Sequence, residues 1–206
     1  MHILIIGGGI SGLICARHLI AHSSNIHVTI IEEKAEIGHP QNRPGVLNDK
    51  LLVINFKTPI QLGKTGCRRP WVSKTIAQQL SSAGVTISVR SRLISIDPLL
   101  ISGAGPNIDD IFDIIVNTTN NIFDSKRPLI FEYRENEISF IGGITTIKKN
   151  IGDPLIFTSL SDNLIECWYD DAIPEIEGGW LERMNGKFSK EEASIDASFA
   201  RGHHLA

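Results

Sequence analysis

The chain has 206 residues, of which 20 are basic and 23 are acidic, and its formal net charge is −3. This length suits one large domain, or one and a half small ones, with a buried core. Because basic residues are not in excess, the composition argues against a polyanion such as nucleic acid as the partner.

The cysteines and the N-terminus indicate the compartment. Cys15, Cys67 and Cys167 are far apart, odd in number and without C-x-x-C spacing, which favours a reducing compartment and argues against a metal site. The N-terminal apolar run ends at Gly7 and lacks a preceding basic region, so it does not read as a signal peptide. No stretch reaches the ~18 apolar residues of a transmembrane segment. We expect a cytoplasmic protein without a transmembrane segment.

A glycine-rich turn follows the first apolar run. Residues 3–6 predict a short buried strand, and residues 7–12 then read Gly-Gly-Gly-Ile-Ser-Gly, which has the spacing G-x-G-x-x-G. In this pattern Gly7 permits a tight turn, Gly9 has no Cβ to block a pyrophosphate, and Gly12 lets the helix pack closely on the strand. The motif alone also fits an ordinary Gly-rich turn, so its neighbours decide its meaning.

The elements after the turn complete a dinucleotide-binding βαβ unit. A helix predicted over residues 10–21 carries an apolar stripe, and its N-terminus would present unpaired N–H groups to a phosphate. A strand over residues 27–31 then leads to Glu32, twenty positions after Gly12, where a carboxylate can accept hydrogen bonds from ribose hydroxyls and would repel a ribose phosphate. Glu33 is adjacent but is expected to point to the opposite side of the strand end.

The middle of the chain alternates loops, strands and one helix. Residues 34–45 are rich in Pro and Gly and predict a loop that starts beside the expected nucleotide. Arg43 in this loop is a candidate partner for a phosphate or an anionic substrate, or else a solvated side chain. The other elements predicted here are strands at 51–56, 85–89, 92–97 and 111–116, a helix at 70–83, a turn at 102–107 and a polar loop at 117–121.

The pattern changes to antiparallel pairs from Pro128 onward. The elements predicted there are a hairpin of residues 129–133 and 138–141, a second hairpin of 155–160 and 164–169, and a polar tail at 188–199 with a short helix. His203 and His204 are expected in a mobile terminus.

The predicted fold class is therefore α/β, with a Rossmann-like FAD/NAD(P)-binding fold and parallel sheet followed by an antiparallel β portion. The division we predict is 1–124 for the dinucleotide-binding domain, 125–187 for the antiparallel portion and 188–206 for the tail.

Three stretches of the sequence resemble the FAD-binding domain of flavoprotein oxidoreductases. They are residues 7–12 with Glu32, residues 36–40 with Gly45, and Arg69 with the helix that leads to residues 93–97. Within these oxidoreductases the chain is similar to the geranylgeranyl reductase group, whose members saturate isoprenoid double bonds. The resemblance covers roughly residues 1–121 and is strongest at the first motif.

The resemblance implies where FAD would bind. The glycines and Glu32 would hold the ADP half, Arg69 would lie near the pyrophosphate and ribityl chain, and the backbone around Leu93 would meet the adenine. The candidate cofactor-binding residues are Gly7, Gly9, Ile10, Ser11, Gly12, Glu32, Glu33, Arg43, Arg69 and Leu93. We expect Gly9→Val or Gly12→Val to exclude the cofactor while part of the protein stays folded.

The chain also departs from the family. Arg43 stands where the family has a cysteine, and residues 117–120 replace a turn of small residues with bulkier polar ones. A late G-D-A-type motif is not found, since Gly152 and Asp153 read as a turn. Full enzymes of the family are much longer than this chain, which therefore resembles a shortened or degenerate member.

Two functions remain open. The first is an FAD-dependent oxidoreductase, a reductase of an isoprenoid or other apolar substrate, in which the cofactor carries the hydride transfer. The alternative is a non-catalytic FAD- or ADP-nucleotide-binding subunit that needs a partner chain; either protein could also form a homo-oligomer. NAD is the alternative cofactor, because Glu32 suits it equally well. No catalytic residue can be assigned, and Trp71, Trp168 and Trp180 could line a site or pack in the protein.

Overall fold

The computed structural model describes residues 1–54, 56, 58–103, 111–123, 125–126, 128–132, 136–146 and 150–206. The strands are β1 (His2–Ile6), β2 (His27–Glu32), β3 (Thr86–Val89), β4 (Ser91–Ser95), β5 (Leu100–Gly103), β6 (Ile114–Asn117), β7 (Leu129–Phe131), β8 (Ile138–Thr146), β9 (Ile156–Ser159), β10 (Leu164–Tyr169) and β11 (Glu182–Phe188). The helices are α1 (Ile10–His22), α2 (Leu51–Ile54), α3 (Arg69–Ser82) and α4 (Ile195–His204).

The chain forms two compact units whose segments alternate along the sequence. The first unit consists of Met1–His39, Ser73–Tyr133 and Phe199–Ala206, and the second of Pro40–Val72 and Arg134–Ser198. The units interleave along the chain, whereas the division expected from the sequence is linear.

The first unit contains a five-stranded parallel sheet in the order β3-β2-β1-β6-β7. Its central strand β1 is almost entirely buried, since Ile3, Leu4 and Ile5 are at most 1% exposed. Parallel strands need cover on both faces, which explains the unbroken apolar run. Leu93 of β4, which pairs with β5, and Ile96, directly after β4, lie in a core that also contains residues of β1, β2 and β6. The prediction of a Rossmann-like parallel sheet is confirmed.

Strand β7 joins the parallel sheet rather than a hairpin. It pairs in parallel with β6, with Leu129 opposite Ile115 and Ile130 opposite Val116. The predicted hairpin of residues 129–133 with 138–141 is therefore wrong, and the residues of its turn at 134–135 lie outside the described residues. A short apolar run indicates a strand but does not specify which neighbour it pairs with.

The second unit contains a four-stranded antiparallel sheet in the order β11-β8-β10-β9. The predicted hairpin of β9 and β10 is confirmed, and Asp162 and Asn163 in its turn have φ of 57° and 59°. Both residue types tolerate this left-handed region. Strand β11 was not predicted, because its polar sequence buries only Met184 and Phe188. The prediction of an antiparallel portion is confirmed.

Three local predictions differ from the structure. Residues 51–54 form the short helix α2 instead of a strand, because the Asp49 side chain accepts a hydrogen bond from the Leu51 N–H (2.9 Å) and so caps the turn. In the turn predicted at 102–107, Ser102 and Gly103 belong to β5, and residues 104–107 lie outside the described residues. His203 and His204, which the sequence analysis places in a mobile terminus, are the last two residues of α4.

Candidate nucleotide-binding site

The glycine-rich turn lies at the point where the strand order of the parallel sheet reverses. Strand β1 has β2 on one side and β6 on the other, so the chain leaves β1 at the carboxyl edge between them. The Gly7 N–H donates to the Ile31 carbonyl of β2 at 2.9 Å. In open α/β sheets, ligands bind outside the carboxyl ends of the strands at such a reversal.

The three glycines of the spacing have different surroundings. Gly7 has a φ of +103°, and a Cβ there would lie 2.8 Å from Thr118 Oγ1 and 2.9 Å from Thr119 Cγ2. A Cβ at Gly12 would collide with the carbonyl oxygen of Gly7. Gly9 is exposed, and a Cβ there would meet nothing within 4 Å. Gly7 and Gly12 are thus required by the turn itself, whereas the space at Gly9 is open to a ligand.

Helix α1 begins at this turn with its backbone donors available. Its first internal bond runs from the Leu13 N–H to the Gly9 carbonyl (3.0 Å), and no side chain caps its N-terminus. The first turn contains no acidic residue. Ile10 is buried, so it offers a ligand only its backbone, and Ser11 is half-buried. Uncapped N–H groups and the positive end of the helix dipole favour a phosphate here.

The carboxylate of Glu32 is held by two backbone donors. The Gly8 N–H donates to its Oε2 at 2.8 Å, and the Lys34 N–H donates to its Oε1 at 2.9 Å. An ionised carboxylate has about four acceptor positions, so both oxygens can accept further hydrogen bonds. Glu33 is exposed instead, and its carboxylate forms an ion pair with Lys34 Nζ at 3.0 Å. The geometry favours Glu32 over Glu33 as the ribose acceptor.

Leu93 contributes its side chain to the core of the first unit. It is 5% exposed and belongs to a cluster with Leu4, Ile31 and Ile115. In β4 it stands opposite Ile101. Only its backbone is therefore a candidate for a contact with adenine, as the resemblance implies.

The polar turn after β6 contacts the glycine-rich turn, which the sequence analysis did not predict. The Thr118 hydroxyl donates to the carbonyl of Ile6 (2.8 Å) and lies 3.2 Å from that of Gly7, which fastens the glycine-rich turn to β6. The Asn117 side chain accepts from the Thr119 N–H (3.0 Å) and hydroxyl (2.7 Å). The sequence feature that could have indicated this contact is the polar cluster directly after the buried strand β6, which lies beside β1.

Arg43 and Arg69 belong to the second unit, where both side chains have protein partners. Arg43 pairs with Glu137 at 2.8 Å and with Glu192 at 3.7 Å. Arg69 is buried, and it donates to the Pro44 and Ala193 carbonyls and to the Ser198 hydroxyl. These contacts give both arginines a role in the fold of the second unit, while their predicted role toward a phosphate stays a prediction.

Glu166 is a fully buried carboxyl group in the second unit. Its Oε1 accepts from Gln41 Nε2 (3.0 Å), the Gly45 N–H (3.1 Å) and Trp168 Nε1 (2.6 Å). Burial raises the pKa of Glu166, although these donors and the charge of Arg69 act in the opposite direction. The sequence feature that could have indicated this buried carboxyl group is a single acidic residue within the apolar run of β10.

The tryptophans and cysteines act mainly in packing. Trp168 is fully buried beside Phe188, and Trp180 packs against Tyr169, whereas Trp71 is 40% exposed. All three cysteines are free and buried, and burial raises each thiol pKa to about 12. A thiol with so high a pKa is protonated near neutral pH and makes a poor nucleophile. Among the described residues, no helix combines the length and apolarity needed to cross a membrane.

Comparisons with known proteins agree with this fold. Residues 5–57 match the family of NAD(P)-binding Rossmann-like domains. No curated protein sequence gives a significant match to the chain. A geranylgeranyl bacteriochlorophyll reductase-like protein from Thermoplasma acidophilum superposes with a TM-score of 0.61 at 12% identity, covering 91% of this chain and 66% of that chain.

Two further solved structures share the fold. A flavoprotein/dehydrogenase from Cytophaga hutchinsonii has a TM-score of 0.59 at 10% identity and covers 100% of this chain and 77% of that chain. An aromatic hydroxylase from angucycline biosynthesis has a TM-score of 0.57 at 10% identity, and the match covers 90% of this chain and 52% of the hydroxylase. This chain thus spans 66% of the reductase-like protein and about half of the hydroxylase.

At these identities the comparisons establish the fold. The resemblance to flavoprotein oxidoreductases, including a geranylgeranyl reductase-like protein, is confirmed at that level. Structural likeness covers at least 90% of the chain in these three cases, so it extends beyond residue 121, where the sequence resemblance ends.

Proposed function

We propose that this chain is a flavoprotein that binds FAD through the turn between β1 and α1. The observation that carries the proposal is the combination of open space at Gly9, an uncapped helix N-terminus and the oriented Glu32 carboxylate at one point of the sheet. The open space at Gly9 can take a pyrophosphate, the helix N-terminus favours its negative charge, and the Glu32 carboxylate can accept hydrogen bonds from the ribose hydroxyls. NAD shares the ADP half and is the alternative ligand.

The reaction we propose is oxidoreduction of an isoprenoid or other apolar substrate. FAD would supply hydride transfer, and the chain would bind and orient the cofactor through backbone donors and Glu32. The support is the fold shared with a geranylgeranyl bacteriochlorophyll reductase-like protein and a flavoprotein/dehydrogenase. No side-chain acid or base is required for such a transfer, and we assign none.

The second candidate is a nucleotide-binding subunit that acts with a partner chain or as a homo-oligomer. It is favoured by the turn after β6, where Asn117, Thr118 and Thr119 replace the small residues of the related enzymes. The chain also has no G-D-A motif like the one that would hold FAD from the other side, since the only Gly-Asp pair starts at Gly152, a turn residue with φ of 68°.

A cytoplasmic location belongs to the same proposal. Its support is that Cys15, Cys67 and Cys167 are all free thiols, which a reducing compartment preserves. Cell fractionation with an antibody to the chain tests it, and recovery in an extracellular fraction would contradict it.

The two adjacent carboxylates allow a matched test of the nucleotide site. Glu32→Gln removes the charge that accepts ribose hydroxyls, and a charged hydrogen bond contributes about 1.5–3 kcal/mol, so FAD affinity should fall roughly tenfold to a hundredfold. Glu33→Gln changes the same chemistry at an exposed position and should leave the affinity near that of the wild type. Affinity is measured by quenching of flavin fluorescence, with ADP and NAD as competitors and NADP as a ligand expected to compete poorly.

The comparison of these variants separates the alternatives. The assigned site is supported if ADP competes with FAD and if FAD binds more weakly to Glu32→Gln but not to Glu33→Gln. Equal FAD affinity of both variants and the wild type would refute the assignment. Binding of ADP and NAD without FAD would favour the subunit over the flavoprotein.

A further inference from the structure

One threonine contacts two successive carbonyl groups of the glycine-rich turn. Thr118 follows β6 directly and is 5% exposed. Its hydroxyl oxygen lies 2.8 Å from the carbonyl oxygen of Ile6 and 3.2 Å from that of Gly7. One hydroxyl hydrogen can be shared between two acceptors in this way. The end of β1 is therefore held from the side of β6 by a single side chain.

The opposite side of the same turn donates its hydrogen bonds to β2. The Gly7 N–H donates to the carbonyl of Ile31 at 2.9 Å, and the Gly8 N–H donates to Glu32 Oε2 at 2.8 Å. Strand β1 lies between β2 and β6 in the sheet. In a trans peptide the carbonyl and the N–H point in opposite directions. The peptide between Gly7 and Gly8 thus has Thr118 at its carbonyl and Glu32 at its N–H.

Gly7 makes this arrangement possible. In an extended strand, successive carbonyl groups point to opposite sides, whereas those of Ile6 and Gly7 both face Thr118. The φ of Gly7 is +103°, a conformation that residues with a Cβ rarely adopt. A Cβ at Gly7 would also lie 2.8 Å from Thr118 Oγ1. The turned peptide is what directs the Gly8 N–H toward Glu32.

We propose that Thr118 is a positioning residue of the nucleotide site. Its hydroxyl fixes the peptide between Gly7 and Gly8, and this peptide orients the Glu32 carboxylate that accepts the ribose hydroxyls. The inference rests on the proposed binding of FAD, or of another ADP-containing nucleotide, at this turn. Thr118 acts through the peptide group, and we assign it no contact with the nucleotide.

A second donor limits the expected effect. The Lys34 N–H donates to Glu32 Oε1 at 2.9 Å and does not depend on the peptide between Gly7 and Gly8. Removal of the Thr118 hydroxyl should therefore weaken the orientation of the carboxylate without abolishing it. Since a hydrogen bond makes a modest net contribution, the affinity for ADP should fall by about twofold to tenfold.

The variants are chosen to separate the hydroxyl from the fold. Thr118→Val removes the hydroxyl, and the Ile6 carbonyl keeps the backbone N–H of residue 118 as a donor at 3.0 Å. Thr118→Ser retains a hydroxyl and should restore the wild-type affinity. Thr118→Ala replaces the valine variant if circular dichroism shows that the latter is unfolded. Thr75→Val makes the same change at another buried threonine of the first unit, in α3, and should bind as the wild type.

Two ligands distinguish an effect on Glu32 from general damage to the turn. Calorimetry is carried out on the full chain with ADP and with dideoxy-ADP, which lacks both ribose hydroxyls. Thr118→Val should weaken the binding of ADP and leave that of dideoxy-ADP unchanged, because only ADP offers hydroxyls to Glu32. In a Glu32→Gln background, Thr118→Val should cause no further loss of ADP affinity, since both changes act on the same interaction.

Amide hydrogen exchange tests the positioning without a nucleotide. Gly8 is buried and its N–H is bonded to Glu32, so it should exchange slowly in the wild type. Thr118→Val and Glu32→Gln should both speed the exchange of the Gly8 N–H, whereas Thr118→Ser should not. NMR of the nucleotide-free chain measures this rate.

Three results would overturn the role of Thr118. They are wild-type ADP affinity in Thr118→Val, an equal loss of affinity for ADP and dideoxy-ADP, and unchanged exchange of the Gly8 N–H. A wild-type chain that binds neither ADP nor FAD would instead refute the proposed function, and the role of Thr118 toward a nucleotide would be refuted with it. Normal ADP binding by the wild type together with an unaffected Thr118→Val would refute only the role of Thr118.

Discussion

Gly9 and Gly12 belong to the same motif but carry different constraints. The position of a Cβ at Gly12 is taken by the Gly7 carbonyl, so this glycine is needed for the strand-to-helix turn whether or not a ligand binds. The corresponding space at Gly9 is open and faces solvent. The expectation that Gly9→Val and Gly12→Val act alike is therefore revised, and only Gly9 separates binding from folding.

Substitutions at the two glycines should separate these roles. Gly9→Val should change the free energy of unfolding by less than about 1 kcal/mol and abolish FAD binding, because its side chain occupies the space of the pyrophosphate. Gly12→Ala should lower the free energy of unfolding by about 1–3 kcal/mol, because it overpacks the turn. Urea unfolding and flavin titration measure the two effects. Wild-type FAD affinity in Gly9→Val would contradict the account of the site.

Individual site residues differed in how far the sequence could predict them. Gly7, Gly9, Gly12 and Glu32 follow from spacing, since backbone approach and a strand-end carboxylate leave a regular pattern. The Thr118 hydroxyl that contacts the glycine-rich turn comes from the turn after β6, 111 positions from Gly7, and leaves no such pattern. The pairings of Arg43 with Glu137 and Glu192 also leave no pattern, because a sequence does not show which charged residues pair when they are far apart in the chain.

The segment before α2 is attached to β10 through one buried carboxyl group. Glu166 of β10 accepts hydrogen bonds from Gln41 and from the Gly45 N–H, both in the last five residues of the Pro- and Gly-rich loop. Arg69 at the start of α3 donates to the carbonyl of Pro44 in the same loop. The last residues of this loop are thus held by two buried polar side chains, those of Glu166 and Arg69.

The stability of the second unit should depend on pH through Glu166. Burial raises the pKa of this group above its ordinary 4.5 in the folded protein, so the unfolded chain loses the proton first as the pH rises. The free energy of unfolding of the wild type should therefore fall, relative to that of Glu166→Gln, as the pH rises from 4.5 through the folded-state pKa. Urea unfolding from pH 4 to pH 8 measures the difference.

An exposed carboxylate of the same unit provides the control. Glu175→Gln removes a largely exposed carboxylate whose contact with Arg183 is long, at 3.5 Å, and its urea unfolding is measured over the same pH range for comparison. Parallel pH profiles for Glu166→Gln and the wild type would show that the buried carboxyl group has no such effect.

Elements with strong local patterns were predicted well, and the errors have a common cause. Strands β1, β2 and β6 are apolar runs, and glycine or proline marks the end of β1, the start of α1 and both ends of α3. Strand β7 was assigned to the wrong neighbour, and β11 was missed. In both cases the pairing partner, rather than the local sequence, defines the strand.

At the scale of the molecule, the parallel sheet and the antiparallel sheet were both predicted, but the interleaving of the two units was not. The first unit takes its last segment from residues 199–206, and the second takes its first from residues 40–72. Local sequence patterns do not show that segments far apart in the chain belong to the same unit. The fold nevertheless matches that of the three solved structures described above over at least 90% of the chain.

The most direct test of the central claim is the visible absorption spectrum of the purified chain, followed by denaturation and chromatographic identification of any released flavin. We predict flavin absorption bands and close to one equivalent of FAD per chain, either retained on purification or taken up when FAD is added. A colourless protein that also fails to take up FAD would contradict the account of this chain as a flavoprotein.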